Sequence, residues 1–210
     1  MRIKIKAKTN RPGREEKAIV VGIVGKRGSG KDVVAGYITR KYKGKSVSLS
    51  DYISQMLNIF HLPASRQNII WLITKIRKRF GKGILARAVI SQVDNNGFPI
   101  YLINGVRLKR EEEILRQRFG KHFILLAISC DDRIRFVRIK KRERKEKLNK
   151  DATNISLERF IGRENEYSTE KEISLLMRRK ADYIIANNGS FELLREKIDK
   201  LLKEKLKIKK

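Results

Sequence analysis

Two kinds of segment alternate along this chain. Residues 18–24, 100–104, 123–129 and 181–186 are short, nearly continuous apolar runs, which read as strands covered on both faces; 45–50 reads as a shorter one. Between them, 31–43, 52–95, 109–119, 132–147, 157–167 and 191 to about 206 read as helical. The longest of these breaks at Leu62-Pro63 and again at Gly81-Lys82-Gly83. Within it Ile69, Ile70, Leu72, Ile73 and Ile76 make an apolar face, while Arg77 and Lys78 read as surface charges at its end. Strands alternating with helices predict an α/β fold, a three-layer sandwich around a five-stranded parallel sheet, in one domain over 18–202. Residues 1–17 alternate apolar and basic positions and break at Asn10-Arg11-Pro12-Gly13. They read as an edge strand or a basic arm outside the domain, and 203–210 as a basic tail.

One junction carries chemistry. The first apolar run ends in Gly25-Lys26-Arg27-Gly28-Ser29-Gly30-Lys31-Asp32. That is strand, glycine-rich turn and helix, with the G-x-x-x-x-G-K spacing of a phosphate-binding loop, or Walker A motif. Gly25, Gly28 and Gly30 let the backbone N–H groups around Arg27 and Ser29 turn inward to a phosphate. The helix opening at Lys31-Asp32-Val33 adds its positive end, and Lys31 adds a mobile charge for β- and γ-phosphates. The loop is therefore expected to hold ATP. Such loops usually continue with a Ser or Thr that ligates Mg²⁺; here the residue is Asp32. Its carboxylate suits Mg²⁺ directly or through water, or else only charges the helix start.

Composition narrows the class. At 210 residues and 40% hydrophobic, the chain suits one such domain with an insertion. No stretch has the length of a membrane span and no signal-peptide core is evident, so a cytoplasmic protein is expected. The single cysteine, Cys130, cannot form an intrachain disulfide and reads as a buried, inert thiol. His61 and His122 lack partners at metal-ligand spacing. Charge changes the picture more: the net is +28, from 51 Lys+Arg against 23 Asp+Glu. It concentrates in 1–17, 131–150 and 195–210. Such an excess draws anions, and the two basic termini are either nucleic-acid contacts or solvated lysine faces.

In parallel α/β sheets the ligand lies at the carboxyl ends of the strands. Four polar segments follow strands here and should converge: the glycine-rich loop, Ser50-Asp51, Asn104-Gly105-Val106-Arg107 and Asn187-Asn188-Gly189. From about 18 to 202 the chain resembles the P-loop nucleoside monophosphate kinase-like family. The segment Ala181-Asp-Tyr-Ile-Ile-Ala-Asn-Asn-Gly-Ser-Phe-Glu-Leu-Leu resembles the C-terminal signature of dephospho-CoA kinases and their relatives. The G-x-x-G-S-G-K-D loop resembles that of deoxynucleoside monophosphate kinases, and Asp131-Asp-Arg-Ile-Arg-Phe-Val-Arg-Ile-Lys-Lys-Arg the family's lid entrance. The resemblance implies an ATP- and Mg²⁺-dependent kinase that moves the γ-phosphoryl to a small, nucleotide-like acceptor. It also implies a helical acceptor insert at about 52–97, a lid at about 131–165, and Asn188 and Gly189 beside the adenine.

Physical chemistry adds candidates. Arg135, Arg138 and Arg142 are spaced three and four apart, hence on one helix face, and the guanidinium fork suits a transferring phosphoryl group. Asp51 could orient or deprotonate an acceptor hydroxyl, hold Mg²⁺ through water, or cap the next helix. Arg66 and Arg87 in the insert and Arg107 after the third strand are candidate anion clamps. Two positions depart from the family pattern. Asn104 stands where many such enzymes carry an acid, and Ser48-Leu49-Ser50-Asp51 replaces the Asp-Ala-Asp of dephospho-CoA kinases, which argues against dephospho-CoA as acceptor. The other reading is a nucleic-acid-binding P-loop NTPase whose ATP use is regulatory or hydrolytic.

Overall fold

The computed structural model describes residues 18–93, 97–146, 155–205 and 207. The apolar runs become β1 (Ile19–Val24), β2 (Lys45–Ser48), β3 (Ile100–Asn104), β4 (Phe123–Ser129) and β5 (Tyr183–Ala186). The helices are α1 (Lys31–Lys41), α2 (Asp51–Ile59), α3 (Arg66–Phe80), α4 (Ile84–Val93), α5 (Lys109–Phe119), α6 (Asp132–Glu146), α7 (Leu157–Glu166), α8 (Ser168–Arg179) and α9 (Phe191–Lys200). The basic arm at 1–17, residues 147–154 of the expected lid and the end of the basic tail lie outside the described residues. Among the described residues no helix is long and apolar enough to cross a membrane.

All strand pairings are parallel, in the order β2-β3-β1-β4-β5. β1 is central, with β3 on one side and β4 on the other. The chain runs from β1 to the edge strand β2, returns to β3 beside β1, and then crosses to β4 and β5 on the other side, so a crevice opens at the carboxyl end of β1. The alternation of side chains feeds two cores. Val20, Val24, Tyr101, Ile103, Phe123, Leu125 and Ala127 pack under α2, α4, α5 and α8. Val21, Ile23, Ile100, Leu102, Leu126 and Ile128 pack under α1 and α9. Gly22 interrupts β1 because the Phe123 ring fills its side-chain space: a Cβ there would approach the ring to 2.8 Å.

Local signals set the boundaries. Ser65, Ser156 and Ser190 cap α3, α7 and α9 by accepting the N–H of Asn68, Arg159 and Leu193. The long helical stretch divides at Pro63 and at Gly81, where φ is +88°. α8 has no counterpart in the sequence expectation. Its apolar face is narrow, Ile173, Leu176 and Met177 in a strongly charged run, and shows only once it meets the sheet. A small separate core, Ile139 and Phe160 with Phe136 and Ile161 beside them, joins α6 to α7. At the far end α9 is tied to α1 through Asp199, which accepts from the Tyr37 and Tyr42 hydroxyls and from the Lys41 ammonium.

Candidate functional site

The loop after β1 reverses at Gly28 (φ +79°) and Gly30 (φ +93°) and passes directly into α1. No side chain caps α1, so its first-turn N–H groups stay available to a ligand. Gly30 has a second reason to be glycine: a Cβ would collide with Asn187 Nδ2, which donates to the Ser29 carbonyl at 2.8 Å. At Gly25 a Cβ would press on the Ile128 carbonyl at 2.8 Å. Two more tethers come from α6. Arg135 Nη1 donates to the Arg27 carbonyl at 2.8 Å, and Arg27 Nη2 donates to Glu143 at 2.7 Å. Val33 is exposed on the first turn of α1.

The loop borders a cleft of about 430 Å³. Lys31 lines it with only 14% of its side chain exposed. Burial holds its ammonium below the usual lysine range; Arg107 and Arg142 add to that, while Asp32 and Glu170 oppose it. Asp32 stands beside it, 3.9 Å away, and accepts from Asn104 Nδ2 at 2.7 Å. The other amide atom, Asn104 Oδ1, is buried without a hydrogen-bond partner. A carboxylate and an orphaned amide oxygen on the cleft wall fit a Mg²⁺ ion that keeps most of its water. The end of β3 carries no acid, and the carboxylate that stands beside it is Asp32 on the first turn of α1.

The rest of the lining comes from the helices and the turn after β3. Ile69, Ile73 and Leu85 supply apolar surface, and Arg107, Arg142 and Arg77 supply charge. Arg77 corrects the expectation of a surface charge. Its side chain is 14% exposed, Nη2 donates to the fully buried Glu111 at 2.7 Å, and Nε is buried without a partner. Glu111 also accepts the backbone N–H groups of Arg107 and Leu108, so one carboxylate positions both arginines. A glutamate three residues into a helix, reaching back to its start, is a pattern the sequence could have offered.

Several expected site residues stand elsewhere. Asp51 is the exposed first residue of α2 and does not line the cleft, because the turn after β2 presents Ser48 and Ser50, 2.9 Å apart, in its place. Arg135 is fully buried, and its guanidinium is consumed by Glu164 (2.7 and 3.0 Å), Asp132 and the loop carbonyl. Arg138 donates to the Asn187 carbonyl and to Cys130 Sγ. The shared helix face was legible, but that face packs on the loop, and only Arg142 of the three lines the cleft. Arg87 is exposed and outside the cleft, since the buried face of α4 is made by Leu85, Ala86, Val89 and Val93. Arg66 opens α3, and its side chain is outside the described residues. Asn188 accepts the Asp131 N–H and Gly189 lies on an exposed turn; Asn187, which grips the loop, was not singled out. Glu170 was also missed, and one glutamate in a Glu-rich run gives no signal.

Two other cavities are less suited to the chemistry. A groove of about 510 Å³ between α5 and α8 is rimmed by exposed charges that pair among themselves, Lys82 with Glu172 and Lys109 and Arg110 with Glu113. A hollow of about 360 Å³ behind the loop contains Cys130, whose thiol burial pushes up against the pull of Arg138, as suits an inert cysteine.

No family model matches the chain. Its architecture is similar to the crystal structure of TT1252 from Thermus thermophilus, at TM-score 0.57 and 19% identity over 90% of this chain and 99% of that one. It is also similar to shikimate kinase from Bacteroides thetaiotaomicron (TM-score 0.55, 14% identity, 90% and 98%) and to a gluconokinase from Sinorhizobium meliloti (0.51, 11%, 88% and 91%). The chain has the three-layer α/β fold of the P-loop kinases; the narrower dephospho-CoA kinase resemblance is not supported by these matches. In sequence it is 30% identical over 190 residues to UPF0200 protein MJ1399 of Methanocaldococcus jannaschii, spanning 89% of this chain and 90% of that protein. A UPF0200 protein of Methanosarcina mazei is 32% identical over 130 residues, 62% of this chain and 69% of the relative. The chain belongs to the UPF0200 family.

Proposed function

We propose that this protein is an ATP- and Mg²⁺-dependent phosphotransferase acting on a small acceptor held against α3 and the turn after β3. One observation carries the reading: a buried P-loop lysine and three arginines from three other elements line a single cleft. Phosphoryl transfer needs little covalent help and much neutralisation of charge, and a cleft built this way supplies it. In this reading the loop amides and Lys31 take the β- and γ-phosphates. Asp32 and Asn104 are the residues that would hold hydrated Mg²⁺, which would neutralise charge on the phosphates. Arg142 faces the moving phosphoryl group, and Arg107 with Arg77 takes an anionic group on the acceptor. Shikimate kinase and gluconokinase among the structural neighbours favour the same class of reaction.

The test is acceptor-dependent consumption of ATP by the full chain, with Lys31→Ala as the control. The substitution is expected to lower turnover by at least about 10²–10³-fold, the usual cost of one charge-stabilising donor. Wild-type turnover that survives Lys31→Ala, or a wild-type chain that does not bind Mg²⁺-ATP, would sink the proposal.

A further inference from the structure

Five glutamates are buried among the described residues: Glu111, Glu112, Glu143, Glu164 and Glu170. Four hold an arginine, at 2.6 to 2.7 Å: Arg77, Arg116, Arg27 and Arg135 respectively. Glu170 is the exception. It stands on the first turn of α8, is 9% exposed, lines the cleft, and its Oε2 has no hydrogen-bond partner. A buried carboxylate oxygen without a donor is costly, and the described residues around it offer no hydrogen bond to that oxygen. Burial, followed by the neighbouring Glu164, holds the carboxyl above the usual range; Arg107 on the β3 turn, Lys26 on the loop and Arg135 on α6 pull the other way.

Resting on the kinase reading above, we propose that Glu170 is the proton acceptor of the transfer and that the acceptor is a small anionic alcohol. Its hydroxyl donates to Glu170 Oε2, and its carboxylate or phosphate lies on Arg107 and the unpartnered Nε of Arg77. The acceptor class follows from charge. A phosphate acceptor arrives already ionised, needs no base, and is repelled by a carboxylate. An alcohol must lose a proton and has the donor that Oε2 lacks. The apolar surface of Ile69, Ile73 and Leu85 suits the carbon frame between the two groups. As the alcohol oxygen bonds to the γ-phosphorus, the bond from that phosphorus to the bridging oxygen of ADP breaks. The hydroxyl proton passes to Glu170 and from there to water. Neither of the other two carboxylates is placed to take that proton, since Asp32 is engaged with Asn104 and Asp51 is outside the cleft.

The experiment offers γ-labelled ATP with Mg²⁺ and two panels: small alcohols bearing a carboxylate or phosphate, and nucleoside monophosphates. Wild-type protein, Glu170→Gln and Lys31→Ala are compared. Transfer to a hydroxyl of the first panel is expected. Glu170→Gln should lower kcat by about 10²–10⁴-fold, the range for loss of a general base. Its ATP affinity should stay near wild type and its thermal midpoint should not fall, since the amide keeps the shape, breaks no existing pair and removes a buried charge. The wild-type rate should also rise with pH along an acid limb that Glu170→Gln lacks. Transfer only to the phosphate of a monophosphate, or an undiminished kcat in Glu170→Gln, overturns this inference and leaves the kinase reading standing. No transfer to either panel, or transfer indifferent to Lys31→Ala, overturns both.

Discussion

On the β1 side of the cleft the loop backbone is tied down by side chains from elsewhere in the fold; on the helical side two charged side chains each keep a buried atom without a partner. The loop is held at Ser29 and Arg27 by Asn187, Arg135 and Glu143, three residues that do not line the cleft. On the helices Arg77 Nε and Glu170 Oε2 are buried and unpaired, while on the sheet side the unpaired atoms are Asn104 Oδ1 at the cleft and Ser29 Oγ behind the loop. A site made from backbone N–H groups needs rigidity, which internal bonds provide. A site made from side chains needs unspent bonding capacity, which the fold tolerates only where a ligand can take it up.

The strongest way to break this contrast is through Arg135. Arg135→Ala leaves Glu164 buried without its cation, and loss of one partner of a buried pair costs about 3–5 kcal/mol. A thermal or urea midpoint well below wild type is expected. Arg142→Ala, seven residues along the same helix but exposed, should stay within about 0.5 kcal/mol of wild type while lowering phosphoryl transfer. Equal stability of the two variants would show that α6 is not divided into a structural and a cleft-facing part.

A finer test uses pH. The folded state raises the Glu170 pKa above its ordinary 4.5, so it binds that proton more tightly than the unfolded chain does. Stability from this group therefore falls as pH rises from 4.5 through the folded value. Glu170→Gln removes the penalty: it should unfold at higher urea than wild type at pH 7, with the gap closing near pH 4. A gap that is the same at both pH values would mean only that glutamine packs better. The smallest effect is expected at Asp51. Asp51→Asn loses a carboxylate at an exposed helix start, worth about 0.3–1 kcal/mol, and should reduce transfer far less than Glu170→Gln. A larger loss of activity at Asp51 would return the acceptor carboxylate to the end of β2.

The same contrast explains what could be read from the chain. The strands, the glycine loop and the breaks at Pro63 and Gly81 are written in local pattern, because turn geometry and two-faced burial select residue types directly. The arginines on α6 were visible as a row. Their fates were not, because Glu164, which takes Arg135, belongs to another helix and Asn187, which takes Arg138, to another strand end. Arg77 read as surface charge for the same reason: its partner Glu111 is 34 residues away. Glu170 is defined by the absence of a partner, and absence leaves no local mark on a sequence.

Asp199 fixes when this molecule becomes competent during synthesis. Its three donors on and beside α1 precede it by 157 to 162 residues, and the grip of Asn187 on the Ser29 carbonyl spans 158. At about 5–20 residues per second, the ribosome takes on the order of ten seconds to deliver them after α1 has emerged. Until then α1 exposes Val34, Ala35 and Ile38 with nothing from α9 to cover them. The first segment to be legible as a nucleotide site is thus among the last to be completed, and a nascent chain halted before residue 187 should not retain ATP.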